Sequence, residues 1–157
     1  MKEGTSIEVR RIRPKDRAEW LPLWNAFFAF HGRELPAAIT ASAFERLCDP
    51  AQAVHGLVAA DCDGGLVGFA AYIFHEETVT IGPACYLKHL FTREDARGRG
   101  VGRALILAVY AAAEQAGAER VTWLVREDNA AAMRLYDILA TRTGLVQYRK
   151  DLTGFTR

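Results

Sequence analysis

The chain has 157 residues, half of them apolar and a quarter charged, with a formal net charge of +1. That length suits one domain with a real hydrophobic core, and the balance excludes a disordered chain. A charge near zero excludes general attraction to nucleic acid or acidic membranes, so any basic site is local, and no apolar stretch reaches the length of a membrane span.

SIEVRRIR (6–13) has strand character and stops at Pro14. Trp20, Leu23, Trp24, Phe27 and Phe30 then recur at helical spacing over 16–30, with Pro22 in the first turn or at a kink. Thr40 or Ser42 is expected to cap a short second helix carrying Phe44 and Leu47. VHGLVAA (54–60) and LVGFAAYIF (66–74) read as strands joined by the hairpin signal DCDGG. TVTIGPACYLKHLF (78–91) reads as a third strand, interrupted or bulged at Gly82-Pro83. VGRALILAVYAAAEQAG (101–117) is helical, and Gly117 suits its C-terminal cap. RVTWLVR (120–126) has the pattern of a short covered strand. Asp128 or Asn129 caps a helix through 131–140, and GLVQYRKDL (144–152) reads as a final strand. The order is β-α-α-β-β-β-α-β-α-β, an α/β chain with a mixed sheet and helices on its faces.

The stretch EDARGRGVGRALI (94–106) sets glycines and arginines directly before a helix. A helix starting near Val101 has unpaired N–H groups and the positive end of its dipole there. Gly98, Gly100 and Gly102 let an anion approach the backbone, and Arg97, Arg99 and Arg103 add charge and directional donors. This arrangement suits a phosphate or pyrophosphate. A solvated, flexible turn that merely caps the helix is the other reading. The turn lacks the Lys-Ser/Thr of a nucleotide-hydrolysing loop, and Gly98 follows three strands rather than the first strand of a dinucleotide fold.

Cys48, Cys62 and Cys85 lie far apart, with neither a disulfide nor a zinc pattern, and read as reduced thiols. His31 and His75 have no clustered ligand partners, so no metal is expected. The N-terminus MKEGTSIEVRRIRP mixes charges without an apolar core, unlike a secretory signal, so a cytoplasmic protein is expected.

Arg97-x-x-Gly100-x-Gly102, after YLKHLFT and before an apolar helix, resembles the acetyl-CoA signature of the GNAT superfamily of N-acetyltransferases. WLVREDNAAAMRLYDILA resembles the family's strand, Asn-led turn and Tyr-bearing helix, with Asn129 and Tyr136 seven apart. The likeness spans nearly the whole chain and is nearest to small polyamine- and histone-type members, through YLxxLFT and the LVQYRK-like end. It implies a single domain over 1–157 and a mostly antiparallel central sheet of six to seven strands. It also implies acetyl-CoA as cosubstrate, a homodimer, and direct attack in a ternary complex by a primary amine, which belongs either to a small amine or polyamine or to a protein lysine or N-terminus. Leu90, Phe91 and Thr92 would pair with the pantetheine arm, in a gap between their strand and the one beginning near Val121. The turn Arg97, Gly98, Arg99, Gly100, Val101, Gly102, Arg103 would hold the pyrophosphate. Asn129 and Ala132 complete the implied cofactor set, with Tyr136 near the thioester sulfur.

Acetyl transfer needs a neutral amine, a polarised carbonyl and a protonated leaving thiol. A free alkylamine has a pKa near ~10.4, so a base or water chain must take its proton. Tyr136 is the candidate general acid; its other reading is a core tyrosine on an amphipathic helix. Relatives often carry an acidic residue at one of the positions held here by Lys88 and His89. His89 is a candidate base by its ordinary pKa, or else points to core or solvent. Glu76 and Glu77 either attract a cationic amine or form a solvated turn. Trp20, Trp24, Phe27, Phe28 and Phe30 are mostly core, with one or two bordering the acceptor pocket. A non-catalytic acyl-CoA-binding module and, more remotely, a nucleic-acid contact are the alternative functions.

Overall fold

The computed structural model describes residues 6–153. They fall in two compact units, Met1–Trp123 and Leu124–Arg157.

The first unit is built on a five-stranded sheet: β1 (Glu8–Arg11), β2 (Val54–Ala60), β3 (Leu66–His75), β4 (Ala84–Thr92) and β5 (Val121–Thr122), in that spatial order. Neighbours from β1 to β4 are antiparallel, and β5 runs parallel to β4. α1 (Arg17–Phe30) and α2 (Ala37–Cys48) precede β2, and α3 (Val101–Gln115) follows β4. Strand alternation assigns the faces. Phe69 and Ala71 of β3 enter the core with Trp20, Trp24 and Phe44, whereas a Cβ on Gly68 would meet Val101 and Leu105 of α3. α1 and α2 therefore cover one face of the sheet and α3 the other.

The α1 face is dominated by rings. Trp20 stacks on Trp24 at 4.8 Å, and Trp24 meets Phe28 at 4.7 Å, edge to face. Trp24 Nε1 donates to Thr40 Oγ1 at 3.1 Å, which satisfies a buried indole N–H. Arg10 holds buried Asp16 through two hydrogen bonds of 2.7 and 2.8 Å, joining β1 to the start of α1. The guanidinium keeps the Asp16 carboxyl below the usual carboxylate range. Glu19 of α1 accepts from the Leu66 N–H at 2.9 Å, fastening the helix to β3.

Several sequence expectations are corrected. Phe30 is 56% exposed and Phe28 is buried in its place, because the buried stripe follows the i, i+4 row of Trp20, Trp24 and Phe28. α2 begins at Ala37 after Pro36, so Thr40 and Ser42 lie inside it. Thr40 serves Trp24 rather than a helix end. β4 starts at Ala84, not at 78: Pro83 has no N–H for a ladder, and Gly82 sits so close to Gly117 that a Cβ there would lie 2.1 Å from its carbonyl oxygen. Gly117 itself has φ 74°, as a C-terminal glycine should. The strand over 120–126 shrinks to Val121–Thr122.

The second unit contains α4 (Ala130–Leu139). Residues 144–152 form no strand. The sheet thus has five strands among the described residues rather than six to seven, and the element order ends at α4. Strand propensity names no pairing partner, and a strand exists only where a ladder forms. No helix among the described residues is long and apolar enough to cross a membrane.

Candidate active site

In the first unit the site residues gather along β4 and at the start of α3. Pairing between β3 and β4 slips once: Ala71 faces His89, but Tyr72 faces Leu87. Lys88 is the extra residue of a β-bulge, so its backbone falls out of the ladder and the strand bends there. The slip also changes which face each side chain takes. His89 and Phe91 lie opposite Ala71 and Phe69 and so face α1, while Leu90 and Thr92 lie opposite Ala70 and Gly68 and face α3. On the other edge of β4, β5 pairs only with Cys85 and Tyr86. From Leu87 to Thr92 no strand pairs with that edge among the described residues, so its backbone groups are available to an added chain.

After β4 the chain enters the glycine-rich turn. Gly98 has φ 75° and Gly100 φ 82°, left-handed values that favour glycine. A Cβ at either position would meet nothing within 4 Å, so both backbones border open space. Gly100 is the N-cap of α3 and supplies no side-chain cap, leaving the first-turn N–H groups for another acceptor. Val101 points inward, against Gly68, and seats this helix end on the sheet. Arg97, Arg99 and Arg103 are exposed. Among the described residues no ion pair or side-chain hydrogen bond occupies them, whereas nearby Arg93 is held by Asp95 at 2.6 Å. Such a cradle fits a diphosphate.

His89 lies where rings converge: Phe27 at 4.9 Å, Trp24 at 5.4 Å and Phe28 at 5.6 Å. Its Nδ1 is buried without a partner. Burial pushes its pKa down to about 3, assisted by Lys88, His31 and Arg33. The ring is neutral at physiological pH and too weak a base to hold an amine's proton. Glu76 and Glu77 sit just past His75, where the β3–β4 ladder ends, four residues along β3 from the Ala71–His89 pair. The Glu77 carboxylate accepts from the Thr78 N–H at 2.8 Å. Cys85 is fully buried, and its thiol is pushed up to about 11, so it is no nucleophile at neutral pH. No group of His, Cys, Asp and Glu among the described residues has the arrangement to hold a metal ion.

In the second unit, Asn129 rather than Asp128 caps α4. Asn129 Oδ1 accepts the Ala132 N–H at 3.2 Å, while Asp128 is paired with Arg126 at 2.9 Å. Tyr136 lies about two turns further along the same helix, so the spacing of seven puts it and Asn129 on one face. Burial raises the Tyr136 phenol above its ordinary range, so it stays protonated at physiological pH.

Residues 18–139 match the model of the acetyltransferase (GNAT) family. The chain belongs to the GNAT acetyltransferase family. The match makes it an acyltransferase of a family that draws its acetyl group from acetyl-CoA. This GNAT chain is 34% identical over 146 residues to the D-amino-acid N-acetyltransferase of Saccharomyces cerevisiae, spanning 92% of the chain and 91% of that protein. It is 31% identical to the mycothiol acetyltransferase of Frankia casuarinae, of which it covers only 43%. Among solved structures, an aminoglycoside N-acetyltransferase in complex with CoA superposes with a TM-score of 0.82 at 20% identity, covering 98% of this chain and 99% of that one. These names carry D-amino acids, mycothiol and aminoglycosides rather than polyamines or histones.

Two features of this region of the chain escape sequence reading. The bulge at Lys88 depends on how β4 registers against β3, which no single strand encodes. Arg33, which follows the positive-φ Gly32 after α1, comes near His89 only because α1 packs over β4. Its one local signal is the glycine that ends the helix.

Proposed function

We propose that this GNAT acetyltransferase transfers the acetyl group of acetyl-CoA to the primary amine of a small molecule, by direct attack within a ternary complex. The reading is carried by one observation: an uncapped helix start, two left-handed glycines facing open space and three exposed arginines that no ion pair occupies among the described residues, after a strand whose edge from Leu87 to Thr92 no described strand pairs. The relatives, named for small-molecule amines, support it. The family match runs across Trp123–Leu124, which supports one N-acetyltransferase domain.

In this reading the turn from Arg97 to Arg103 holds the diphosphate, and backbone groups of Leu90, Phe91 and Thr92 pair with the pantetheine arm as an added strand would. Asn129 and Ala132 border that arm. Acetyl-CoA supplies an activated carbonyl with a thiol leaving group. Backbone N–H groups freed at the Lys88 bulge stabilise the oxyanion. Tyr136, held protonated, gives its proton to the departing sulfur. The amine's proton leaves through water, because His89 is too weak a base to take it. His89 instead shapes the acceptor side of the site.

Free-thiol release over a panel of small amines tests the reading, alongside calorimetry with CoA. Transfer to at least one amine, with CoA binding lost on replacing Arg97 and Arg99 by Gln, is expected. Tight CoA binding with no transfer to any amine would make the chain a CoA-binding module instead.

A further inference from the structure

Lys88 puts an amine of the chain's own at one end of the free β4 edge. It is the extra residue of the β3–β4 bulge, between Leu87, which faces Tyr72, and His89, which faces Ala71. Its side chain is exposed and lies over the Tyr86 ring, with Nζ 5.7 Å from the ring centre. Tyr86 is opposite Ile73, and alternation along β3 puts Ile73 on the same face as Ala71 and Phe69. The lysine amine is therefore on the α1 face of β4, the face that His89 also takes. Tyr86 is the last residue of β4 that pairs with β5, opposite Thr122. The free edge begins at the next residue, so Nζ stands where that edge closes.

A cofactor with its diphosphate at Arg97–Arg103 runs its pantetheine arm back along Thr92, Phe91 and Leu90. The thioester comes next, at the bulge. Lys88 meets it there with a flexible four-carbon stem on a residue that has left the ladder. We infer that Lys88 is a self-acetylation site, modified by the acetyl-CoA bound to its own chain. The neutral Nζ attacks the thioester carbonyl carbon, an N–C bond forms and the C–S bond breaks. The amine's proton passes to water, and the thiolate leaves and takes up a proton as free CoA. The product is an uncharged amide, so the step removes a cation from the acceptor face. The inference rests on the transferase reading above and adds to it a modification of the enzyme itself.

The test incubates the full chain with acetyl-CoA and no acceptor. Acetyl groups are read by peptide mass spectrometry and free CoA by chromatography. Lys15 is the internal control: it is exposed too, but follows β1 at the opposite edge of the sheet from β4 and β5. Lys88 should gain its acetyl group about 10–100-fold faster than Lys15, because the cofactor is held beside it. Its rate constant should hold across a ~10-fold dilution of the protein, as a step within one chain requires. Acceptor-free CoA release should match the acetyl gained at Lys88 and vanish in Lys88→Arg, which keeps the charge. Arg97→Gln/Arg99→Gln should bring Lys88 down to the rate of Lys15. The wild-type peptide map decides the matter even where a variant folds poorly. Equal rates at Lys15 and Lys88 would overturn the inference, as would a Lys88 rate that falls with dilution. A small amine acetylated in a parallel run while Lys88 stays unmodified would overturn it and leave the transferase standing. Transfer neither to Lys88 nor to any amine would overturn both.

Discussion

His89 shows how a single residue changes meaning with its surroundings. Its type suggests a base near neutrality, yet burial among Trp24, Phe27 and Phe28 holds it neutral, with a pKa of about 3. The folded state therefore binds this proton more weakly than the unfolded chain, whose histidine titrates near ~6.5. The stability that follows is complete above that value and is lost as pH falls from there toward about 3. His89→Phe keeps a ring and removes the unpartnered nitrogen. In urea unfolding it should gain on the wild type by about 1–3 kcal/mol between pH 7 and pH 4.5; parallel behaviour at both pH values would show that His89 is not held neutral. Asp16 also weakens the fold in acid, but equally in both proteins, so the difference isolates His89. Tyr136 makes the second prediction at this scale. Tyr136→Phe should lower kcat about 100-fold with little change in acetyl-CoA KM, the usual size of a lost general acid. With the phenol raised by burial, the alkaline fall in wild-type kcat belongs above pH ~10; unchanged turnover in the variant would remove the assignment.

The decisive element is the junction of β4, the glycine turn and α3. Gly68 holds it together from beneath: a Cβ there would lie 2.7 Å from the Phe91 carbonyl oxygen and 2.9 Å from Val101 Cγ1. Gly68→Ala must push α3 away from the sheet, at about 1–3 kcal/mol of stability. Thermal unfolding measures that cost, and acetyl-CoA KM should rise with it because the helix start shifts. Gly100→Ala acts differently. Its Cβ meets no atom, so the penalty is the left-handed φ of 82° alone, about 1–2 kcal/mol. That variant should relax the turn and raise acetyl-CoA KM about tenfold while acceptor KM holds, as measured by initial rates.

For the whole molecule, CoA should act as a stabilising ligand whose grip is partly ionic. At a CoA concentration about 100-fold above Kd, binding adds about 2.7 kcal/mol. In a chain of this length that raises Tm by roughly 5–10 °C. The shift should shrink at high salt and in Arg97→Gln/Arg99→Gln, because these side chains are exposed and screened. A CoA-independent Tm would contradict the family's cosubstrate at this site.

Much was legible in the sequence because it is local. The alternation of 66–74, the hairpin signal, the helix from Val101, its closing glycine and the Asn129 cap each depend on residues within a few positions of one another. So does the turn from Arg97 to Arg103, where conformation and charge are written into adjacent residues. Tertiary structure alone decided what depends on partners. The β3–β4 register created the bulge at Lys88, packing of α1 set His89 among rings that hold it neutral, and the same packing brought Arg33 within electrostatic reach of His89. The strand expected at 144–152 failed for the same reason: propensity is a property of a segment, but a strand is a relation between two.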